Sequence, residues 1–243
     1  MFSLGIFKLG LRQLAGEHRL FFLFFMLVLA SLPMLIAFIM LYAHESRSVD
    51  FLEASRGLFD GLILLFVIPV IALIFSSAIL REEIQTQTIN YLVLKPISRA
   101  TIALSKWLAT MVLVVLLVVY SIVTMALVFN DSASVGTYLI SGLLAALAYG
   151  AFYFLLSLLM DRVLISGFIY LIAWEGLVAS ISQQAKYLSI RYYAGNVEQA
   201  LLGNLKIDLP INTSAVMLIA IIVMCLLLAS WKLSKMEFPG SSE

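Results

Sequence analysis

Five long apolar runs, at 20–42, 58–80, 102–129, 137–160 and 214–231, leave this chain little choice but lipid as a solvent. A helix needs about 20 mainly apolar residues to cross the roughly 30 Å hydrocarbon core of a bilayer, and each run supplies them. A sixth run, 163–180, also qualifies, although it contains Glu175. Of the 243 residues 63% are hydrophobic and 12% charged, too little polarity for a water-soluble domain of this length. The expected fold is an all-α integral membrane protein with six transmembrane helices in one domain spanning 1–243.

An even number of crossings puts both termini on one side, and the Lys/Arg bias selects which. Ten of the fifteen cations, among them Lys8, Arg12, Arg19, Arg99 and Lys106, lie on the terminal side; Arg47, Arg56, Lys186, Arg191 and Lys206 lie opposite. Both termini are therefore expected in the cytoplasm, with a polar loop at 81–101 between spans two and three. The first run exceeds the 7–15 or so apolar residues of a signal peptide and reads as a retained helix. Before it, residues 1–19 read as an interfacial helix. Lys8, Arg12 and Arg19 fall within about 40° of one another at 100° per residue, with Phe7, Leu11 and Leu14 on an apolar face. A plain basic flank that enforces topology is the competing reading. In span four, Gly142, Ala146 and Gly150 recur every four residues, a spacing that lets helix backbones approach closely in lipid.

The loop "REEIQTQTINYLVLKPISRATIALSK" is too polar and too long for a simple turn. Glu82 and Glu83 suit the positive end of a short helix running to Leu94, which Pro96 stops. Ser98 then offers an N-cap for span three, and Arg99 follows at the positive end of that helix, where a cation needs some compensating contact.

These residues resemble the cytoplasmic loop of ABC-2-type ABC transporter permeases. That pattern runs approximately E-x-E-x-G-T, a few apolar residues, P-[IV]-S-R, and G-K at the next helix. Glu82 or Glu83, Thr88, Leu92, Pro96, Ser98, Arg99 and Lys106 match in order; Gln87 stands in place of the glycine, and Ser105 precedes the lysine. The resemblance implies that the Glu82 to Leu92 region is a coupling helix docking on a separate ATP-binding subunit. It further implies a second permease chain as homo- or heterodimer partner, short re-entrant outer helices at 181–213, and a prokaryotic cytoplasmic (inner) membrane. Any ATP and Mg²⁺ would then sit on the partner.

Glu175 lies about 20 Å along span five at 1.5 Å per residue, where an ionised carboxylate costs about 2–3 kcal/mol unless it faces a cavity or a partner. Two readings compete. Either Glu175 lines a transport path or holds a proton, or span five ends early and the carboxylate anchors a bent outer segment near water. A Trp-Glu pair such as Trp174-Glu175 is common at this point in the resembled family, which fits the anchor.

No G-x-x-x-x-G-K-[ST] phosphate loop occurs, which leaves no route of that kind to ATP, and no catalytic or metal-ligating constellation forms around His18, His44 or the lone Cys225. Nucleic acid is not among the expected partners, and a net charge of +1 by itself says nothing about it. The N-x-[ST] matches at Asn130 and Asn212 hug the membrane and read as chance. The expected function is therefore a permease subunit of an ATP-driven exporter, itself no enzyme. The alternative is a self-contained secondary transporter or channel with Glu175 as its proton or ion site.

Overall fold

The computed structural model describes residues 20–43, 51–85, 99–178, 184–203 and 208–235. Every regular element among them is helical. They are α1 (Leu20–Ala43), α2 (Phe51–Leu58), a π-helical stretch π1 (Phe59–Val67), α3 (Ile68–Gln85), α4 (Arg99–Phe129), α5 (Val135–Leu159), α6 (Val163–Ile169), a second π-helical stretch π2 (Tyr170–Val178), a 3₁₀ turn (Ala185–Leu188), α7 (Ile190–Leu201) and α8 (Ile211–Lys235).

Among the described residues, five helical segments are long and apolar enough to cross a membrane: α1, α2–π1–α3, α4, α5 and α8. The expected fifth span, 163–180, is described only in part; among the described residues its apolar helix covers Val163–Leu177. The second crossing starts earlier than expected, because the helix runs without a break from Phe51 through π1 into α3. The interfacial helix expected at 1–19 and most of the coupling region, including Thr88, Leu92, Pro96 and Ser98, lie outside the described residues.

At the centre stand α3 and α5. In an 18-residue apolar stretch of the Leu52–Ala78 span 67% of positions are buried, and in one of α5 56%, against 22% for α1 and 17% for α8, so the first and last helices form the periphery. α5 packs on α3, α4 and α8, while α1 leans mainly on α4. Each peripheral helix therefore buries one narrow seam. In α1 the seam is Met26, Ala30, Pro33 and Ala37, spaced to fall on one face of a 3.6-residue helix. Pro33 lies inside that helix, where neighbours can satisfy the carbonyl its missing N–H leaves open. In α8 the seam is Ser214, Leu218, Cys225, Ala229 and Leu233. Large apolar side chains such as Phe24, Phe38, Leu227 and Trp231 point outward, as lipid-facing residues do.

Small residues bring the central helices together. A Cβ on Gly142 would sit 2.6 Å from Ile122 Cδ1 of α4 and 3.6 Å from Ile68 Cδ1 of α3; on Gly150 it would press into Met111 of α4. Ala146 between them is fully buried. The neighbours of this stripe thus belong to the same chain. Gly167 of α6 makes an equally close approach to Leu73 of α3.

Candidate functional site

A cluster of polar side chains among the described residues lies at one end of the bundle, where α2, π1, the α4–α5 turn and residues 184–203 and 208–209 meet. We call this end the roof. The α4–α5 turn is built first. Asn130 adopts a left-handed backbone (φ 52°), a conformation asparagine tolerates better than most residues. It closes α4 with the paired bonds of a Schellman stop: Asp131 N–H to Ala126 O at 3.1 Å and Asn130 N–H to Leu127 O at 3.3 Å. This turn aims Asp131 at α2. Its carboxylate accepts from Ser55 Oγ at 3.0 Å and from the Ser134 N–H at 3.2 Å, and Ser55 Oγ lies 3.1 Å from Tyr138 Oη.

At this end α7 packs on α5, α8 and π1. Ser141 of α5 donates to Ala194 O at 2.7 Å, and Gly203, in the left-handed region at φ 72°, ends the helix on its far side. The beginning of α7 is held by Glu175. Glu175 Oε1 accepts from the Ile190 N–H at 3.0 Å and from Tyr170 Oη at 2.9 Å, while Oε2 accepts from Ser189 Oγ. Ser189 Oγ in turn accepts from the Tyr192 N–H at 3.1 Å, as an N-cap residue does. At 1% exposure Glu175 is shut from solvent, yet it meets three donors and the positive end of a helix dipole, the arrangement that makes a buried carboxylate tolerable. Trp174 beside it is half-buried. Tyr149, Tyr153 and Tyr170 stand beneath, the first two rings stacked at 6.0 Å and the last two edge-to-face at 6.3 Å.

Two ion pairs flank the same helix. Arg191 reaches Asp60 of π1 at 3.0 Å, and Lys186 reaches Asp208 at 2.6 Å. The hydrogen bond to Asp208 raises the Lys186 ammonium, and the same bond lowers the Asp208 carboxyl. Glu198, on the buried face of α7, is pushed up to about 7 by desolvation and then by the nearby Asp60 charge, with Arg56 pulling the other way. Between the ion pairs opens a pocket of about 290 Å³, to which Asp60, Glu175, Ser189 and Asn196 contribute. Both carboxylates that enter this wall from the bundle, Asp60 and Glu175, stand on π-helical turns, and π1 and π2 touch. Such turns carry one residue more than an α-turn and recur at functional sites.

The candidates of the expected cytoplasmic stretch are placed only in part. Glu82 and Glu83 fall near the end of α3 and Arg99 opens α4, one residue after Ser98. Lys106 is buried inside the bundle at 1% exposure. The interfacial trio Lys8, Arg12 and Arg19 is outside the described residues. Sequence reasoning singled out Glu175 but passed over Asp60, Asp131, Arg191 and Glu198. Asp60 carried a signal: an aspartate in the first turn of an unbroken apolar run raises the same question of a partner as Glu175 does. Among the described residues no group of three His, Cys, Asp or Glu is placed to hold a metal ion.

Compared with known proteins, residues 17–190 match the family model described as ABC-2 family transporter protein. The match runs from the start of α1 to the first residue of α7 and takes in both carboxylates of the pocket wall. No curated protein matches the chain significantly. A match over this much of the sequence shows the family, and the chain belongs to the ABC-2 family of transporter proteins.

Proposed function

We propose, from its membership of the ABC-2 transporter family, that this chain is the permease subunit of an ATP-driven exporter, moved by an ATP-binding subunit on a separate polypeptide. The family match across the first five helical segments carries this reading. The sequence adds that the chain has no phosphate loop of its own, while the polar 81–101 segment offers a place to dock. In this reading Glu82, Glu83, Thr88 and Leu92 belong to a coupling helix, and Arg99 steadies its return into α4. Two permease chains pair, each with one ATPase. Closure of the ATPases on ATP rocks the helices between inward-open and outward-open states in a prokaryotic inner membrane, with both termini in the cytoplasm and the roof outside.

Co-purification tests this. The full-length protein expressed with its candidate ATPase should retain it at one copy per permease, and ATP hydrolysis should follow the ATPase. Arg99→Glu, or alanine at both Glu82 and Glu83, should weaken retention at least several-fold. Uphill transport by the reconstituted chain alone would overturn the reading in favour of a self-contained transporter. Against that alternative, three donors on Glu175 support an anchor for α7 rather than a mobile proton site.

A further inference from the structure

The roof pocket has a charge pattern that an ATP-driven permease does not require. Two ion pairs border it, and both are partly open to water: the side chains of Arg191 and Asp60 are 25% and 47% exposed, those of Lys186 and Asp208 24% and 56%. Glu175 also reaches the wall, but its oxygens are committed to Tyr170, Ser189 and Ile190. That leaves two cations and two carboxylates among the described lining residues.

Ion pairs with this much exposure contribute about 0–1 kcal/mol each, so their partners can be exchanged at small cost. A ligand with one charge would engage half of each pair and strand the other half in the cleft. A ligand with both charges replaces both bonds and strands nothing, and complementarity of that kind sets specificity more than affinity. The pocket also has a surface for an ammonium group. The Tyr192 ring already faces a cation, with Lys186 Nζ 5.0 Å from its centroid. Its volume of about 290 Å³ suits a small head rather than an extended molecule. Leu188, next in the chain to the lining Ser189, is 68% exposed, so the polar cleft adjoins a surface suited to acyl chains.

The geometry points to a binding site for a zwitterionic phospholipid headgroup, its phosphate against Lys186 and Arg191 and its primary ammonium against Asp60, Asp208 and the Tyr192 ring. This goes beyond the transport reading and does not depend on it. The lipid would brace α7 from the membrane side as Glu175 braces it from within.

Native mass spectrometry of the full-length protein, incubated with equal amounts of phosphatidylethanolamine, phosphatidylglycerol and phosphatidylcholine, tests the site without any ATPase. Phosphatidylethanolamine should be retained at least several-fold over the other two, which lack the ammonium or its N–H donors. Lys186→Gln, a change in a partly exposed pair that leaves folding intact, should lower retention of the preferred lipid several-fold. Asp60→Asn should abolish its preference over phosphatidylglycerol. Equal retention of the three lipids, or a preference that survives both substitutions, overturns the proposal. Displacement of the lipid by millimolar phosphoethanolamine would assign the pocket to a soluble zwitterion and overturn the lipid source.

Discussion

Truncating Glu175 would strand the Tyr170 hydroxyl, the Ser189 hydroxyl and the Ile190 N–H in one buried place. A buried donor without a partner costs about 1–3 kcal/mol, so Glu175→Ala is expected to destabilise the protein by about 3–5 kcal/mol. Glu175→Gln keeps one acceptor oxygen and should lose less. Thermal unfolding in detergent, followed by the fluorescence of the adjacent Trp174, measures both; equal and small losses would remove the anchor role. Glu198 governs a different response. Its carboxyl binds a proton more tightly in the folded chain, at about 7, than at the ordinary value of 4.5, so the folded state holds more protons between those limits. Stability should therefore fall as pH rises from 4.5 to 7, by at most about 1.4 kcal/mol per pH unit, with the full loss present above 7 and none below 4.5. Glu198→Gln should flatten that part of an unfolding-versus-pH curve. A slope unchanged by the substitution would assign it to another group.

Helix contacts within the bundle separate glycines that matter from glycines that do not. A Cβ on Gly167 would collide with the side chain of Leu73, itself fully buried, whereas a Cβ on Gly57 meets nothing within 4 Å. Gly167→Ala is thus expected to cost about 1–3 kcal/mol through overpacking, and Gly57→Ala to gain up to about 1 kcal/mol from helix propensity. Paired melting curves give the two signs, and the same sign for both would contradict the packing. The legibility of the sequence divides at this scale. Hydropathy marks where helices α1, α4, α5 and α8 lie to within a few residues, because lipid imposes a length and a composition on anything that crosses it. It does not mark where winding changes from α to π, since that leaves no compositional trace. Glu175 was visible as a misplaced charge. Its partners Ser189 and Ile190 were not, because they belong to a following segment that hydropathy does not place against it. Asp60 and Arg191 are farther apart still in sequence, and only the packing of α7 over π1 joins them.

Across the whole molecule, the described polar loops divide into two ends. The roof holds Ser132 and Tyr187, while the α5–α6 turn with Asp161 and Arg162 lies at the other end; all four are exposed. Cysteines placed at Ser132 and Tyr187 should therefore react with a membrane-impermeant thiol reagent from one face of sealed vesicles, and cysteines at Asp161 and Arg162 from the opposite face. The single native thiol, Cys225, is 4% exposed on the seam of α8 and should stay silent as background. Labelling of all four from one face would break the bundle topology, and labelling of the Asp161 pair from outside intact cells would invert the proposed orientation.

The wide turns of π1 have a final consequence. A π-helical stretch holds one residue more than α-winding needs, so deleting a single residue between Leu62 and Phe66 would let an ordinary α-helix close across the gap. The α-turns so formed advance further per residue than the π-turns they replace, so the excision would leave Asp60 near its present bearing on α3 and Arg191. The charge layout at this end of the bundle can thus tolerate a one-residue deletion inside a buried helix.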